Sequence, residues 1–394
     1  MYHRMKVFCL VLVSLFLFFV FAVSACAAEG GWFIPKITLS QAYESNIFLD
    51  EIDTKSDYIT TVSPAFTIKP EFSKHELTID YEGDYAYFHR WNEEDNKSHA
   101  NNINLKLNFN KFRIDLNNRF RHFSDRSGSE DTNRIPRTQD HVNARFIFEF
   151  NKLDLTFGYL YQYENYRSQR SIGNYMGLPQ TYDDLDRNEH SGEIETAFKL
   201  WPKTALLLST VYGAITHRTG GKADSKYFDI LTGIRGEPSA KMTAEFKLGF
   251  RNQRYEDDMR DFSNLLAYGS IIEKLTYRDV LRFDFLRTSY DTIYQSNAYY
   301  EVSFLGAQYE HGFTDRFNGN VALAYQLDTY PVETVEGSET KHRTDNIYKA
   351  SCGLKYKTPK GLFSELKYEF LVRDSNFSYN YKDHIGTFSL GIEF

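Results

Sequence analysis

Residues 144–150 read Ala-Arg-Phe-Ile-Phe-Glu-Phe, with Ala and three Phe at the even positions and Arg and Glu among the odd ones. Because successive side chains of a β-strand point to opposite faces, this spacing predicts a strand with one apolar and one charged face. The same alternation recurs from Lys36 to Phe394, in stretches joined by very short turns and longer polar loops. One repeated unit therefore accounts for nearly the whole chain.

The alternation predicts where the apolar faces lie. No helical stretch supplies a separate core, so lipid is the expected environment of the apolar faces, and the charged faces then enclose water. A mean hydropathy of -0.51 excludes a helical membrane protein, while 33 Phe and 29 Tyr suit strands and interfacial aromatic girdles. The sequence predicts an all-β fold, a transmembrane antiparallel up-and-down β-barrel.

The pattern defines eighteen candidate strands. The matches over 34–47, 58–70 and 264–274 are the least regular, so sixteen strands is the alternative. The predicted strands are Ile34–Ile47, Tyr58–Pro70, His75–Trp91, His99–Asn110, Phe112–Ser124, Thr138–Phe150, Leu153–Arg167, Asn188–Trp201, Thr204–Arg218, Ser225–Glu237, Met242–Glu256, Asn264–Lys274, Asp279–Asp291, Asn297–Glu310, Arg316–Tyr330, Asp345–Lys357, Leu362–Asp374 and His384–Phe394.

Short and long connections alternate along the chain. The compact turns include Asn110-Lys111, Asn151-Lys152, Pro202-Lys203, Pro238–Lys241 and Thr358–Gly361, and the largest loops are Asp125–Arg137, Ser168–Arg187 and Pro331–Thr344. This alternation is typical of bacterial barrels, with periplasmic turns, extracellular loops and both termini in the periplasm. No insert is long enough to form a sizeable plug, so we expect some openness of the interior.

The N-terminus predicts secretion. Arg4 and Lys6 precede the apolar run Val7–Val23 and the small residues Ser24–Ala28, a pattern typical of a signal peptide. We predict a signal peptide over residues 1–27, or cleavage one residue later, and a barrel over 28–394.

Cys26 leaves a second interpretation of the leader open, because Val23–Cys26 also resembles a lipobox in which Cys26 is lipidated. In either case Cys352 is the only internal thiol. Losing Arg4 and Lys6 moves the formal charge from -7 to -9, which weighs against nucleic acid as a partner.

Strand parity assigns the charged side chains to the interior. In the fifth strand Ile114, Leu116, Asn118 and Phe120 face lipid and the odd-numbered residues face inward. The predicted lumen-lining residues are Arg113, Asp115, Asn117, Arg119, Arg121, Glu76, Asp80, Glu82, Asp84, Arg145, Glu149, Glu193, Glu195, Lys247, Arg251, Arg282, Asp284, Glu365, Lys367 and Glu369.

The mixed signs on this wall have two interpretations. Ion pairs that keep a hydrated interior rigid are the first. The second is a selectivity lining, in which the arginines of the fifth strand guide anionic solutes past the acidic third strand.

Aromatic residues near strand ends predict interfacial girdles. Tyr85, Tyr87, Phe88 and Trp91 form one such group, and Tyr159, Tyr161, Tyr163 and Tyr166 form another. For members inside the lumen, such as Phe88 or Tyr299, stacking against sugar rings is the alternative.

Catalytic and metal motifs are missing from the sequence. It has no HExxH, paired CxxC, P-loop or GxSxG pattern, which predicts a protein that is not an enzyme and needs no cofactor. A lipid- or glycan-modifying site at the rim is the alternative, with Ser124 and His122 or Ser191 and His190 as its candidates. Asp183-Asp184-Leu185-Asp186 is interpreted as a solvated loop, with Ca²⁺ binding as its alternative.

One short segment resembles a known family, and a second resembles a known assembly signal. Tyr43-Glu44-Ser45-Asn46-Ile47-Phe48 resembles the opening of the putative β-barrel porins, including those found with exopolysaccharide and exosortase gene clusters, although Glu44 stands where Asp is frequent. The final Phe388–Phe394 resembles the signal that barrels present to their assembly machinery. The resemblance implies an outer-membrane channel for hydrophilic solutes, with saccharide export and general diffusion as alternatives. The expected partners are outer-membrane lipid, lipopolysaccharide, the assembly machinery through Phe394, and a polysaccharide.

Overall fold

The structure is a computed structural model. It describes residues 32–70, 72–126, 130, 132–168, 171–175, 178–219, 222–256, 261–293, 297–336 and 339–394. The predicted signal peptide and the lipobox with Cys26 lie outside the described residues, so both stay predictions.

Strands make up nearly all of the described chain. Two short 3₁₀ helices, Asn92–Glu94 and Tyr182–Leu185, lie in connections between strands. The strands are β1 Phe33–Glu44, β2 Asp57–Ile68, β3 Glu76–Phe88, β4 Asn96–Asn108, β5 Phe112–Arg126, β6 Arg134–Glu149, β7 Leu153–Tyr166, β8 Ser171–Tyr175, β9 Leu178–Thr181, β10 Arg187–Trp201, β11 Thr204–His217, β12 Ser225–Ser239, β13 Met242–Tyr255, β14 Phe262–Lys274, β15 Asp279–Asp291, β16 Tyr299–Gly312, β17 Phe317–Glu336, β18 Glu339–Lys357, β19 Leu362–Ser375 and β20 Tyr381–Glu393.

Eighteen of these strands form one closed antiparallel ring. Each pairs with its neighbour in sequence, β7 pairs with β10, and β20 returns to β1 with Leu39 opposite Leu390. The remaining two, β8 and β9, form a separate hairpin inside the long connection after β7. Closure leaves no sheet edge, so the predicted eighteen-stranded barrel is confirmed over the alternative of sixteen strands.

The two ends of the barrel differ. At one end, which we call the turn end, compact turns such as those at 109–111 and 150–152 connect the strands, and Lys36 pairs with Glu393, so both ends of the ring meet there. The other end carries the longer connections, and we call it the loop end. Pro64, which weakened the prediction of β2, faces a gap in the β2–β3 ladder because proline has no N–H to donate.

Two loop predictions are wrong. The predicted loop Pro331–Thr344 is largely strand, because β17 continues to Glu336 and β18 begins at Glu339, beyond a register shift between Thr329 and Glu333. The predicted loop Ser168–Arg187 contains the β8–β9 hairpin. Both segments are polar, which predicts loops. A hairpin that extends beyond the membrane does not contact lipid, so its strands need no apolar face.

The outer face of the barrel is apolar. Large side chains that alternate along the strands are exposed there, Leu116 of β5 by 38 % of its surface and Leu208, Leu323 and Leu390 more strongly. A water-soluble protein rarely exposes a continuous apolar surface of this kind, so it is a surface for lipid.

The facing of β5 predicts the effect of one charge on insertion. Leu116→Arg places a cation against lipid, which costs about 2 to 4 kcal/mol near the midplane, and should lower the folded fraction in liposomes, measured by heat-modifiable gel mobility. The matched control is Asn117→Arg, one residue along on the inner face, which should insert normally. Equal insertion of both variants, or loss of only the control, would invert the assigned faces.

Candidate functional site

Contacts between distant strands identify the inner face of the barrel. An Arg187 guanidinium nitrogen lies 2.9 Å from a carboxylate oxygen of Asp291, although β10 and β15 are five positions apart in the ring. Such a contact crosses the interior. Glu193 and Glu195 share the parity of Arg187, and Arg145 of β6 lies 3.5 and 3.9 Å from their carboxylates. The odd-numbered residues of β6 and β10 therefore face inward.

The same reasoning covers β3, β4 and β5. Arg113 of β5 lies 3.5 Å from Glu149, which shares the parity of Arg145 in β6. Asn117, also odd in β5, donates to Asn102 of β4, and Asn102 lies 3.4 Å from Asp80 of β3. The structure thus places Arg113, Asp115, Arg119, Arg121, Glu76, Asp80, Glu82 and Asp84 on the inner face.

The rest of the ring follows from register. Lys247 of β13 reaches Glu195, and Arg251 shares its parity. Residues directly opposite each other on paired strands point to the same face. Lys247 lies opposite Tyr268, and Tyr268 lies opposite Leu286 of β15, so the even-numbered Arg282 and Asp284 of β15 also face inward. In β19 the ring of Phe363 lies under the inward Lys36 ammonium, at 5.6 Å, which places Glu365 and Lys367 on the same face.

Most of these predicted lumen residues are held by partners. The pairs include Arg113–Asp115 at 3.0 Å, Arg251–Asp229 at 2.7 Å, Lys367–Glu369 at 2.9 Å, Lys106–Glu76 at 3.2 Å, Arg282–Asp284 at 2.5 Å, Lys355–Glu365 at 3.9 Å and Arg121–Asp125 at 3.9 Å. Asp80 and Asp84 accept hydrogen bonds from Thr67 and Ser63. This pattern is that of a pair network, and a role in selectivity stays a prediction.

Glu195 is a carboxylate of this network that pairs with three cations. Only 2 % of its side chain is exposed, and it pairs with Arg145, with Arg235 at 3.1 Å and with Lys247 at 2.5 Å. These cations come from β6, β12 and β13, so one anion ties three separate strands to β10. Removing a charge from such a buried group would leave its partners uncompensated.

At the loop end, one contact spans the interior. Glu130 lies between β5 and β6 and is only 3 % exposed. It accepts hydrogen bonds from the Thr292 hydroxyl at 2.5 Å and the Ile293 amide at 2.7 Å. Because the β15–β16 connection is eight strands away in a ring of eighteen, this contact, which we call the mouth contact, reaches nearly across the barrel.

A second contact narrows the same end. Glu44 at the end of β1 pairs with Arg134 at 2.7 Å and with Arg126 at 3.1 Å, and those arginines lie about four strands away. Arg126 and Arg134 also donate to the Ile47 carbonyl. The loop end is thus narrowed by side chains and loop segments rather than by a long insert.

Beside the mouth contact lies a cavity of about 260 Å³, here called the mouth cavity. Arg187 lies there between Glu164, at 3.4 Å, and Asp291. Lys222 donates to the Thr292 carbonyl, and desolvation lowers the pKa of Lys222 to about 8. The other lining residues are Arg137, Gln139, Tyr166, Leu185, His217, Tyr290, Ile293 and Tyr300.

Several aromatic predictions are wrong because they fall in this packed end. Phe88, only 4 % exposed, packs against Ile47 and Ile59, and Trp91 packs beside them. Tyr166 packs in a buried cluster with Ile135, Tyr182, Leu185 and Ile293. Phe88 and Tyr166 are therefore core residues and not girdle, and Trp91 is partly buried against the Phe88 cluster.

Tyr299 cannot serve as an exposed stacking surface. It is only 4 % exposed, with the ring of Phe262 at 5.0 Å and the ring of Tyr255 at 6.0 Å between centroids. The sequence makes Tyr299, with Phe88, a candidate for stacking against sugar rings. Both side chains are instead covered by protein.

Neither serine–histidine candidate forms a catalytic pair. His122 hydrogen-bonds to Thr138 at 3.1 Å. Ser191 is buried on the inner face, whereas His190 bonds to Tyr159 at 2.8 Å on the outer face. Nucleophile and base must be within hydrogen-bond reach of each other, and these arrangements do not provide that.

The acidic loop segment serves local structure. Asp184 accepts a hydrogen bond from the Thr181 amide at 3.1 Å, and Asp186 accepts one from the Tyr166 amide at 2.6 Å. Burial raises the pKa of Asp186. Across the described ranges, no group of three His, Cys, Asp or Glu is placed to hold a metal ion.

A sequence comparison decides the family. The family model described as Putative beta-barrel porin 2 matches residues 28–394. The chain belongs to this family. That membership, the closed ring and the apolar outer face make it a porin-like barrel of the outer membrane. Comparison with curated protein sequences finds no match.

Some solved structures are similar to this chain over most of its length, at low identity. OpdK from Pseudomonas aeruginosa is 11 % identical with a TM-score of 0.47, covering 92 % of this chain and 99 % of that one. OccAB4 from Acinetobacter baumannii is 11 % identical with a TM-score of 0.48, covering 93 % and 99 %. OccK2 (OpdF) from Pseudomonas aeruginosa is 10 % identical with a TM-score of 0.48, covering 92 % and 98 %.

The mouth contact predicts a response of this porin-family barrel to acid. Burial raises the pKa of the Glu130 carboxyl above its ordinary value, with the hydrogen bonds from Thr292 and Ile293 opposing the shift. The closed mouth therefore binds the Glu130 proton more tightly than an open mouth. Its stability is greatest below the ordinary pKa and falls as pH rises through the raised one. Single-channel current should decrease on acidification through that range.

The control for this titration is Glu130→Gln, which keeps the size of the side chain and one oxygen that can accept a hydrogen bond from Thr292, but cannot ionise. This variant should lack the acid-dependent step. An identical pH profile in the variant would assign the step to another group.

Proposed function

We propose that this barrel is a channel for small hydrophilic solutes, narrowest at its loop end. The observation that carries the proposal is an interior lined by charged and amide side chains around the ring. A closed barrel of this strand number leaves room for an aqueous passage. Membership of the porin family supports the same role.

The turn end supports a hydrated interior. Inward charges there remain largely exposed, 59 % for the side chain of Glu76, even where they are paired. Exposed charges need water, because an ion moved into an apolar medium loses its hydration at high cost. A solute entering this half would contact hydrated, charged side chains.

The loop end supports a limit on solute size. The mouth contact and the pairing of Glu44 with Arg126 and Arg134 both cross the interior, and residues such as Tyr300 and Tyr330 pack beside them. Side chains at a constriction set both the size and the charge of what passes. A narrow, charged passage suits small polar molecules.

Export of a saccharide polymer is the more specific alternative, and the likeness of Tyr43–Phe48 to barrels of exopolysaccharide clusters motivates it. A polymer needs a continuous aperture and, for guidance, exposed aromatic surfaces. Phe88 and Tyr299 are buried, so the two candidate surfaces are covered. We therefore favour diffusion of small solutes.

Planar-bilayer recording of the purified protein tests this function. We expect a single-channel conductance that is smaller than that of an open barrel of eighteen strands. The conductance should rise in Glu130→Ala, because the mouth contact is lost. Sugar-dependent blockade by long oligosaccharides would favour the saccharide conduit. The absence of current from folded protein and from the variant would contradict a channel of either kind.

Ion selectivity in the same bilayers tests the charged wall of β5. Replacing Arg113, Arg119 and Arg121 with Ser removes three inward cations and releases Asp115 and Glu149 from Arg113. The reversal potential should shift towards cations while folding is retained. An unchanged reversal potential would mean that the pairs on this wall are structural only.

A further inference from the structure

A second cavity lies in the turn-end half, against the inner wall formed by β1 to β5. Its volume is about 510 Å³, within the range typical of small-molecule sites. Register explains the recess, because Ala65 and Ala100 lie on either side of Glu82 and their short side chains leave space beside it. We call this cavity the turn-end groove.

Two charges in the groove lack a partner among the described residues. Within the described part of the chain, neither the Glu82 carboxylate nor the Arg119 guanidinium makes an ion pair or side-chain hydrogen bond, and both side chains are exposed. The other charged groups of the groove are engaged. Asp80 accepts from Thr67 and Asn102, Glu393 pairs with Lys357 at 3.2 Å, and Lys36 lies over Phe363.

The opposite charges face the same space from different strands. Asp80, Asn102 and Arg119 lie in one register row across β3, β4 and β5, and Glu82 lies on the same face of β3 as Asp80. Two strand spacings separate the backbones of Asp80 and Arg119 by about 10 Å. A small ligand can therefore contact the acidic and the basic side together.

We propose that the turn-end groove binds a small zwitterionic solute, of the size of an amino acid or dipeptide. The Arg119 guanidinium donates hydrogen bonds from its planar fork of N–H groups to the solute carboxylate. Glu82, helped by Asp80, accepts hydrogen bonds from the solute ammonium. A simple anion would be repelled by the two carboxylates and a simple cation by Arg119, so a ligand with both charges fits best.

The inference deepens the proposed channel function and rests on it for its biological meaning, but its test does not require conduction. Binding of glycylglycine to the purified, detergent-solubilised full chain is measured by isothermal titration calorimetry. Arg119→Gln and Glu82→Gln should each weaken binding about tenfold or more, as expected for loss of a charged hydrogen bond. Acetate and ethylamine should bind the unmodified protein more weakly than glycylglycine.

Lys355→Gln is the matched control, because it removes an inward cation outside the groove and should leave glycylglycine binding unchanged. Heat-modifiable gel mobility verifies that each variant is folded. Equal glycylglycine affinity in folded Arg119→Gln and unmodified protein would overturn the proposal. Acetate or sucrose binding more tightly than glycylglycine would overturn it also.

Binding and conduction can fail separately. Folded protein that binds glycylglycine without conducting would contradict the channel function and leave the groove assignment standing. Conducting protein that does not bind glycylglycine would contradict only the groove assignment.

Discussion

Every backbone N–H and C=O group inside a membrane needs a hydrogen-bond partner within the protein, and this constraint determines the closed ring. An open sheet would leave two edges unpaired in lipid, and only closure removes them. The pairing of β20 with β1, from Lys36 opposite Glu393 to Glu44 opposite Ile385, provides that closure. Once the ring is closed, each strand has one face towards lipid and one towards the interior, and the sequence must alternate accordingly.

This constraint explains why most of the barrel could be predicted. Period-two alternation is local, so Leu116 outside and Asp115 inside can be read from neighbouring residues. The strand number follows in the same way, and the pattern includes β2 despite its proline. Near the loop end the same reasoning failed for Phe88 and Tyr166, because a strand end that meets an inward-folded loop becomes core.

Long-range contacts were beyond the sequence pattern. Glu130 and Thr292 are 162 residues apart, and nothing in the alternation around either residue indicates that they meet. The same holds for Arg187 and Asp291, which are 104 residues apart. Charged residues in the loops are compatible with such contacts, but exposure to solvent is the simpler interpretation of a charged loop. Only the closed ring brings such segments opposite one another.

Charge in the interior is arranged by the same geometry. Where the wall is crowded, each ion has a partner, as at Asp345, which pairs with Arg343 at 2.6 Å and with Arg373 at 3.5 Å in nearly complete burial. Unpaired ions there would be costly. At the turn end water can hydrate an unpaired ion, and Glu82 and Arg119 stand free of partners among the described residues. Structural pairing thus dominates at the loop end, and solute contact is expected towards the turn end.

Loop segments from opposite sides of the ring meet at the mouth contact and narrow the loop end. Cross-linking of Glu130→Cys to Thr292→Cys with a reducible bifunctional maleimide, in a background lacking Cys352, measures whether the two segments are adjacent in the folded barrel. We predict an intramolecular cross-link, visible as a reductant-sensitive gel shift, and a single-channel current that stays low until reductant is added. Folded protein that gives no cross-link, with a current unaffected by the reagent, would show that the two segments do not meet.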